Sequence, residues 1–291
     1  MTQPNLTGTT FSWDTPLHAP SSILSFEGLE KSGRTHLACQ GPEPIAYQGL
    51  DTGEDTMQKL RASGKKIAAA VYHYAHDPKT KNTEAQAEEI KKKVWDKFYT
   101  DYHAALTWAR TVVWDTATEV WELLRLANFG KLSQVPEIAY PAVNSEFKEM
   151  VRAAQKANVN LMLIHQVKEE RETKVVMTAK GPAERSVPTG RLTRAGMNKI
   201  GYLVDAYLLT RYVDPKFTGK GKDRKQTEPG HFEVEVLRAR HAHEMVGQVV
   251  EFSGEQGSPD LLTLLSVIRP DVAVAEWGLG TLPEVVEVDL D

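Results

Sequence analysis

Short apolar segments that alternate with helical stretches are the feature of this 291-residue sequence that most constrains its fold. A strand needs a long crossover before the chain can add a parallel neighbour, and that crossover is usually a helix. The alternation therefore predicts an α/β protein with a mostly parallel central sheet and helices on both faces. The predicted strands cover 23–27, 45–50, 67–74, 111–115 and 160–166, and the predicted helices cover 83–109, 117–127 and 144–157.

The pattern changes beyond residue 200, where three further strand candidates follow at 202–213, 231–240 and 246–252. The middle one alternates Phe232, Val234 and Val236, so we expect C-terminal edge strands with antiparallel connections. The predicted domain plan is a polar N-terminal arm, a core, and a C-terminal extension with an acidic tail, at 1–20, 21–255 and 256–291.

Composition and charge limit the class of protein. With 41% hydrophobic residues the chain can bury a sizeable core, and its formal net charge of -4 gives no overall basic field for nucleic acid or an anionic membrane. Cys39 is the only cysteine, which excludes an intrachain disulfide, is typical of a reducing compartment, and predicts a buried apolar role for this residue. Neither a long apolar run nor a signal-type start is present, so we expect a cytoplasmic protein with no membrane partner.

Residues 28–35, Gly-Leu-Glu-Lys-Ser-Gly-Arg-Thr, have the spacing of a phosphate-binding loop, G-x-x-x-x-G-K-[ST], with arginine in place of the lysine. The loop follows a predicted strand and precedes a plausible helix, which is the context that such a loop needs. Its backbone N–H groups would point inward and hold a triphosphate. The alternative is a turn whose glycines serve backbone geometry alone. The predicted nucleotide-binding residues are Gly28, Leu29, Glu30, Lys31, Ser32, Gly33, Arg34, Thr35 and His36.

Asp115 ends an apolar segment some 80 residues after this loop. An aspartate in this place holds Mg²⁺ in phosphate-loop proteins, and the hydroxyl of Thr35 would be the second ligand; a plain helix cap is the alternative for Asp115. Thr116 follows, so a water-activating carboxylate must come from elsewhere. Glu54 or Asp51, after the second predicted strand, could orient the water, although turn capping explains both equally well.

Gln166 ends the fifth predicted strand, and polar side chains at such ends face the ligand crevice of open α/β sheets. We expect Gln166 to sense the terminal phosphate of a nucleotide; a buried glutamine without function is the alternative. The long polar segment 167–198 is predicted to be a loop that contacts DNA, or else a solvated flexible loop. Its candidate DNA-binding cations are Lys168, Arg171, Lys174, Lys180, Arg185, Arg191 and Arg194.

The order of these motifs resembles the RecA-type ATPase core, and most closely the small RecA-like ATPases of bacteriophages that accompany single-strand annealing and recombination. The resemblance covers about residues 20–255. It implies a P-loop NTPase fold, ATP and Mg²⁺ bound between protomers of a homo-oligomeric ring or filament, and single-stranded DNA on the segment after Gln166. It also implies a basic pair that reaches the neighbour's phosphates, and Arg238 and Arg240 stand in that place; outward charges on an edge strand are the alternative.

The resemblance implies a role in phage-type recombination, repair or replication, and the cytoplasm of the bacterial host if a phage encodes the protein. Two departures modify it. Arg34 replaces lysine, which predicts slow or absent hydrolysis. No distinct DNA-binding domain flanks the core, so a single-strand-binding or annealing protein would be a partner.

Two other functions stay open: a non-catalytic, nucleotide-gated oligomeric scaffold, and a helicase or packaging motor. Against the motor, the sequence has no additional helicase domain and no nuclease-type cluster of carboxylates. His241 and His243, with Glu244 nearby, lack a third well-spaced ligand, so we assign no zinc.

Overall fold

The computed structural model describes residues 21–51, 54–74, 84–131, 135–178, 181–197, 200–218, 225–252 and 261–270. Its strands are β1 (Ile23–Glu27), β2 (Ile45–Gly49), β3 (Ile67–Val71), β4 (Thr111–Asp115), β5 (Asn160–His165), β6 (Val167–Thr178), β7 (Gly181–Arg194), β8 (Ala206–Val213), β9 (Lys216–Thr218), β10 (Lys225–Glu228), β11 (His231–Ala239) and β12 (Val249–Phe252). Its helices are α1 (Arg34–Ala38), α2 (Glu54–Ala62), α3 (Glu84–Trp108), α4 (Ala117–Phe129), α5 (Tyr140–Lys156) and α6 (Leu261–Ile268). Two short 3₁₀ helices cover Glu137–Ala139 and His243–Met245. The arm predicted at 1–20 lies outside the described residues.

One 8-stranded sheet has the order β12-β11-β8-β1-β5-β4-β2-β3. Its neighbours from β8 to β3 pair in parallel, whereas β11 is antiparallel to both β8 and β12. Two small sheets pair β6 with β7 and β9 with β10. The predicted α/β class with a mostly parallel sheet and antiparallel strands at its C-terminal side is confirmed.

The expectation that all the late strands are edge strands is wrong. The strand β8 lies inside the sheet, parallel to β1, and β11 lies between β8 and β12. Period-two alternation in β11 correctly indicated that one face is buried, since Val234 and Val236 are inaccessible to solvent. Alternation cannot show how many neighbouring strands a strand has. An edge strand and an interior strand of an antiparallel sheet can both bury one face and expose the other.

The sheet separates two apolar layers. In β4, Val112 and Trp114 face the helices α3, α4 and α5, and Val113 faces the layer that contains α1, α2 and α6. The aromatic residues of α3 pack on this strand: the ring centroids of Phe98 and Tyr102 lie 5.8 and 5.0 Å from that of Trp114. The predicted core role of the α3 aromatics is therefore confirmed.

The second layer includes residues from both ends of the described chain. Leu261, Leu264 and Leu265 of α6, inside the predicted C-terminal extension, pack in the same cluster as Leu37 of α1. Cys39 is fully buried in this cluster as a free thiol, and burial raises its pKa. The predicted apolar role of Cys39 is confirmed. None of the described helices is both long and apolar enough to cross a membrane.

Candidate functional site

The connection between β1 and α1 is a tight loop that leans on β8. A Cβ atom on Gly28 would lie 2.5 Å from the carbonyl oxygen of Thr210, so a larger residue would displace backbone. The hydroxyl oxygens of Ser32 and Thr210 lie 2.8 Å apart, and the Thr210 hydroxyl also donates to the carbonyl of Glu27 at 3.2 Å. Gly33 has φ 86°, a left-handed conformation that favours glycine, and α1 follows it directly. The predicted strand, loop and helix are all in place.

The other loop residues differ in orientation. Leu29 is 59% exposed, and Glu30 and Lys31 are exposed as well, so these three side chains lie on the outer surface of the loop. His36 lies along α1, where its Nε2 is 2.7 Å from Nε2 of Gln40. Burial, and then the charge of Lys65, lowers the pKa of His36. A ligand in the loop would therefore meet mainly backbone N–H groups and the side chains of Ser32, Arg34 and Thr35.

The two predicted magnesium ligands lie together. The hydroxyl of Thr35 donates to Oδ2 of Asp115 at 2.9 Å, and the hydroxyl of Tyr47 donates to the same oxygen at 2.8 Å. Asp115 is 3% exposed. Burial raises its pKa, and the two hydrogen bonds and the charge of Arg34 partly oppose this effect. A hydroxyl and a carboxylate are hard oxygen donors of the kind that Mg²⁺ prefers, so the donor set fits this ion.

Arg34 lies near Asp115 and two further carboxylates, those of Asp51 and Glu30. Its Nη1 donates to the backbone carbonyl of His165 at the end of β5. Burial lowers the pKa of Arg34, and the charges of Asp115, Asp51 and Glu30 oppose that shift, in this order of size. The guanidinium thus lies among acidic side chains at the carboxyl end of the sheet and is fixed to β5.

Gln166 and Asp51 meet at the same end of the sheet, together with a carboxylate that the sequence interpretation missed. Nε2 of Gln166 donates to Oδ2 of Asp51 at 3.4 Å and to Oε1 of Glu119 at 3.3 Å. The hydroxyl of Tyr74, just after β3, donates to the other oxygen of Glu119. Burial raises the pKa of Glu119, and the charges of Glu122 and Asp51 raise it further.

A sequence signal for Glu119 existed. Thr116 caps α4 by accepting from the N–H of Glu119 at 3.1 Å, which is the first half of the T-x-x-E pattern at a helix start. Because this cap fixes the first turn of α4 next to Asp115, the side chain of Glu119, four residues after Asp115, faces the strand ends. The side chain of Glu54, the other predicted base, lies outside the described part of the structure.

The segment predicted to be a loop after Gln166 is instead the two-stranded hairpin β6–β7. The two strands pair from Val167 with Arg194 to Thr178 with Gly181. Neither strand alternates polar and apolar residues along its length, so hydrophobic periodicity gives no strand signal, and acidic and basic side chains dominate the composition. Predicted DNA-binding residues that are exposed on the hairpin are Lys168, Arg171, Lys174, Arg185 and Arg191; Lys180 lies outside the described residues.

Some of these cations already have partners within the hairpin. Arg171 donates to the hydroxyl and the carbonyl oxygen of Ser186 at 3.1 and 3.0 Å, and Lys174 lies 2.5 Å from Glu172. Arg194 is buried at the base of the hairpin, where Nη1 lies 3.9 Å from Glu27 and the guanidinium stacks over the ring of Tyr207 at 4.7 Å. Arg194 therefore anchors the hairpin to Glu27, at the end of β1, and to Tyr207. It does not lie on the exposed surface predicted to contact DNA.

Thr118 of α4 bonds to the two residues that flank the hairpin, Gln166 before β6 and Ala195 after β7. Its hydroxyl accepts from the N–H of Gln166 at 3.1 Å and donates to the carbonyl of Ala195 at 3.3 Å. The N–H of Ala195 closes the base by donating to the carbonyl of Gln166 at 2.8 Å. Gln166 and the hairpin are thus parts of one hydrogen-bonded unit.

Arg238 and Arg240 lie at the opposite end of the sheet. Ala239 is level with Ala206 and Leu24, whereas the loop begins after the far end of β1. Arg240 pairs with the buried Asp205 at 3.0 Å and donates to the carbonyl of Tyr202, while Arg238 is exposed. Within one chain the pair does not reach the loop, so a role at a nucleotide requires a neighbouring protomer and stays a prediction.

The histidines do not form the grouping examined in the sequence. His241 lies 3.7 Å from Asp205. In a different group, His231, Glu233 and Glu251 bring their ligand atoms within 4.8 Å of one another on β11 and β12. His231 already lies 3.2 Å from Glu233, and a hydrogen bond between the two side chains explains this contact without a metal.

Comparison with known proteins adds no family. No protein-family model matches the chain, and no curated protein matches it.

Proposed function

We propose that this protein binds ATP with Mg²⁺ at the β1–α1 loop as a RecA-like P-loop ATPase. The observation that carries the proposal is the 2.9 Å hydrogen bond between Thr35 and Asp115. These are the hydroxyl and the strand-end carboxylate that a phosphate loop uses to hold Mg²⁺ on the β- and γ-phosphates. Further support comes from the strand order, which puts β1, β5 and β4 side by side, so that Gly28, Gln166 and Asp115 surround one crevice.

The residues divide the chemistry between them. Backbone N–H groups of the loop hold the phosphates, and Thr35 and Asp115 would hold Mg²⁺, which supplies charge neutralisation when bound. Asp51 accepts the proton of the attacking water, whose oxygen bonds to the γ-phosphorus while the bond from that phosphorus to the bridging oxygen breaks and ADP leaves with the electron pair. Gln166 donates to the γ-phosphate.

Arg34 makes slow turnover the expected behaviour. The loop lysine of ordinary ATPases is a compact charge on a flexible stem, whereas the forked guanidinium of Arg34 bonds to the His165 carbonyl. That bond favours one competing function, a non-catalytic scaffold whose assembly ATP controls. In both functions ATP binds at the same place, and they differ in whether phosphate is released.

We propose single-stranded DNA as the second ligand, on the exposed cations of the hairpin, in phage-type recombination, repair or replication. The support is the direct connection from Gln166 into β6 and the hydrogen bonds of Thr118 to Gln166 and Ala195, which flank the hairpin. When the hydrogen bond between Gln166 and the γ-phosphate forms or breaks, the hydrogen-bonded unit of Gln166, Thr118 and Ala195 would transmit the change to the hairpin. Assembly with other copies of the chain would bring Arg238 and Arg240 to a neighbour's phosphates.

Phosphate release by the purified protein, with and without single-stranded DNA, tests the function. We expect ATP to bind and phosphate release to be slow, and Arg34→Lys to raise turnover by about tenfold or more, since a correctly placed cation stabilises the charge of the transition state. Turnover of the wild type at the rate of ordinary DNA-stimulated recombinases would contradict the role given to Arg34. Binding with no release in either protein would favour the scaffold.

A further inference from the structure

The hydrogen-bond partners of Gln166 raise a question about ATP recognition. A glutamine that recognises a γ-phosphate must offer an N–H group to it, but Nε2 of Gln166 is already shared between Asp51 and Glu119, at 3.4 and 3.3 Å. Carboxylates are strong acceptors for amide donors. The terminal phosphate of ATP therefore has to compete with two carboxylates for the same amide.

Glu119, one of the two competitors, is held by two contacts besides the one to Gln166. Its backbone N–H is fixed by the cap residue Thr116, and its second carboxylate oxygen accepts from Tyr74. It is the third residue of α4 and lies only four residues after Asp115, so its position is tied to the segment that would hold Mg²⁺. Tyr74 comes from the far side of the crevice, after β3, and keeps the carboxylate turned toward Gln166.

We propose that Glu119, held by Tyr74, is a positioning residue that sets the preference of the site for ATP over ADP by competing with the γ-phosphate for the side-chain amide of Gln166. This inference rests on the proposed function. ADP leaves Gln166 on the carboxylates, because it has no γ-phosphate to offer. ATP must draw the amide away, and part of the binding free energy of the γ-phosphate is used for that exchange.

The test is equilibrium binding of Mg²⁺-AMP-PNP and Mg²⁺-ADP, since a non-hydrolysable analogue separates recognition from turnover. The measured quantity is the ratio of the two dissociation constants. Glu119→Ala should raise the preference for the triphosphate by about tenfold or more, the effect of one hydrogen bond to a charged group, with little change in ADP affinity. Glu119→Gln, which keeps the size of the side chain, should give a smaller rise in the same direction.

A double-mutant cycle separates competition for the amide from simple charge repulsion. Gln166→Ala should lower the preference, and adding Glu119→Ala to Gln166→Ala should change nothing further, because the amide is no longer present. Glu122→Gln is the matched charge control, since it removes a neighbouring negative charge on α4 that has no described bond to Gln166. Tyr74→Phe should raise the preference slightly, and Tyr99→Phe, an exposed tyrosine of α3, should leave it unchanged.

Titration gives a second readout. The groups that face Glu119 are Asp51, Glu122, Tyr74 and Gln166, and burial together with the two negative charges raises the pKa of Glu119 above its ordinary value. Protonation turns Glu119 into a weak acceptor, so the triphosphate preference of the wild type should rise as the pH falls toward this pKa. In Glu119→Gln that rise should be absent.

The outcomes distinguish this inference from the proposed function. If the wild type binds neither nucleotide, both fall. If it binds both nucleotides and Glu119→Ala has the wild-type preference, the competition does not exist and only the inference falls. If Glu119→Ala raises the preference equally with and without Gln166, the carboxylate acts by charge alone and the inference is again wrong.

Discussion

The carboxyl end of the large sheet and the β6–β7 hairpin are built from different kinds of contact. At the sheet end, side chains that are far apart in sequence bond to each other, as Thr35 does to Asp115. Within the hairpin the polar contacts are local, as between Lys174 and Glu172, and Met177 near its far end is 78% exposed. The sheet imposes the geometry of the first region, whereas the second is free to present its side chains to a partner.

The base of the hairpin, where the two regions meet, should show the largest effect on stability. Arg194→Met leaves Glu27 buried without its cation, and we expect a loss of about 3 kcal/mol of unfolding free energy near neutral pH. Burial already raises the pKa of Glu27 and Arg194 opposes this, so the variant raises that pKa further. Below the ordinary carboxyl pKa, Glu27 is protonated in both proteins and the difference should shrink.

Denaturant unfolding of wild type and Arg194→Met from about pH 4 to about pH 8, a range that includes the ordinary carboxyl pKa, measures this effect. Arg185→Met, an exposed arginine of the same hairpin, is the control and should cost less than about 0.5 kcal/mol. A pH-independent loss in Arg194→Met would mean that packing on Tyr207, and not the charge of Glu27, is what Arg194 contributes.

The exposed surface of the hairpin should affect DNA binding and leave the fold intact. Replacing Lys168, Lys174, Arg185 and Arg191 by alanine should weaken single-stranded DNA binding by about tenfold or more and lower the salt slope by about 0.7 for each lost phosphate contact. Arg171 is kept because its bonds to Ser186 hold the two strands together. Fluorescence anisotropy across a salt series is the measurement.

The control for the hairpin variant replaces four exposed lysines elsewhere, Lys59, Lys92, Lys93 and Lys97, so that the net charge changes equally. Equal weakening in both variants would show that binding follows total charge. Unchanged affinity in the hairpin variant would place any DNA site outside these four side chains.

Arg238 near the end of β11 and Arg240 just after it should have different effects on assembly and stability. Arg238→Ala should reduce ATP-driven self-association with little change in unfolding free energy, because this side chain is exposed. Arg240→Ala should reduce association and also cost about 1–2 kcal/mol, since it removes the ion pair with the buried Asp205. Sedimentation with and without Mg²⁺-ATP, together with denaturant unfolding, measures both. Nucleotide-independent size distributions in all three proteins would make the pair ordinary surface charges.

The smallest effect expected is a stabilisation at the sheet end. Burial raises the pKa of Asp115 despite its hydrogen bonds, so the charged carboxylate opposes folding at neutral pH. Asp115→Asn should slightly raise the Tm of the nucleotide-free protein above that pKa and lose the advantage at low pH, where Asp115 is protonated. Thermal melts at several pH values test this; a lower Tm of the variant at neutral pH would show that Asp115 is structural.

Some parts of the fold and of the candidate site follow from the hydrophobic pattern of the sequence, and others depend on contacts between distant residues. The strand ends at Glu27, Asp115 and His165 follow from apolar runs that stop at polar residues, and parallel pairing then brings Thr35 and Asp115 together. Glu119 could not be found in that way, because its position depends on the helix cap at Thr116 and on a partner, Tyr74, that follows β3.

The hairpin shows a second limit. Charge and length predicted a loop over residues 167–198, but cross-strand pairing depends on contacts that a count of charges does not contain. Composition likewise placed Arg194 with the DNA-binding cations, although its environment is the buried Glu27 and the ring of Tyr207. The ion pair of Arg240 with the buried Asp205 was not predicted for the same reason.

The most direct test of the central proposal is calorimetric titration of Mg²⁺-ATP into wild type and Thr35→Ala, with Thr107→Ala of α3 as the exposed-threonine control. We predict Mg²⁺-dependent binding by the wild type and the control, and at least about tenfold weaker binding by Thr35→Ala, because the hydroxyl that lies 2.9 Å from Asp115 is the proposed metal ligand. Absence of binding by the wild type, or equal affinity in all three proteins with and without Mg²⁺, would contradict the nucleotide site.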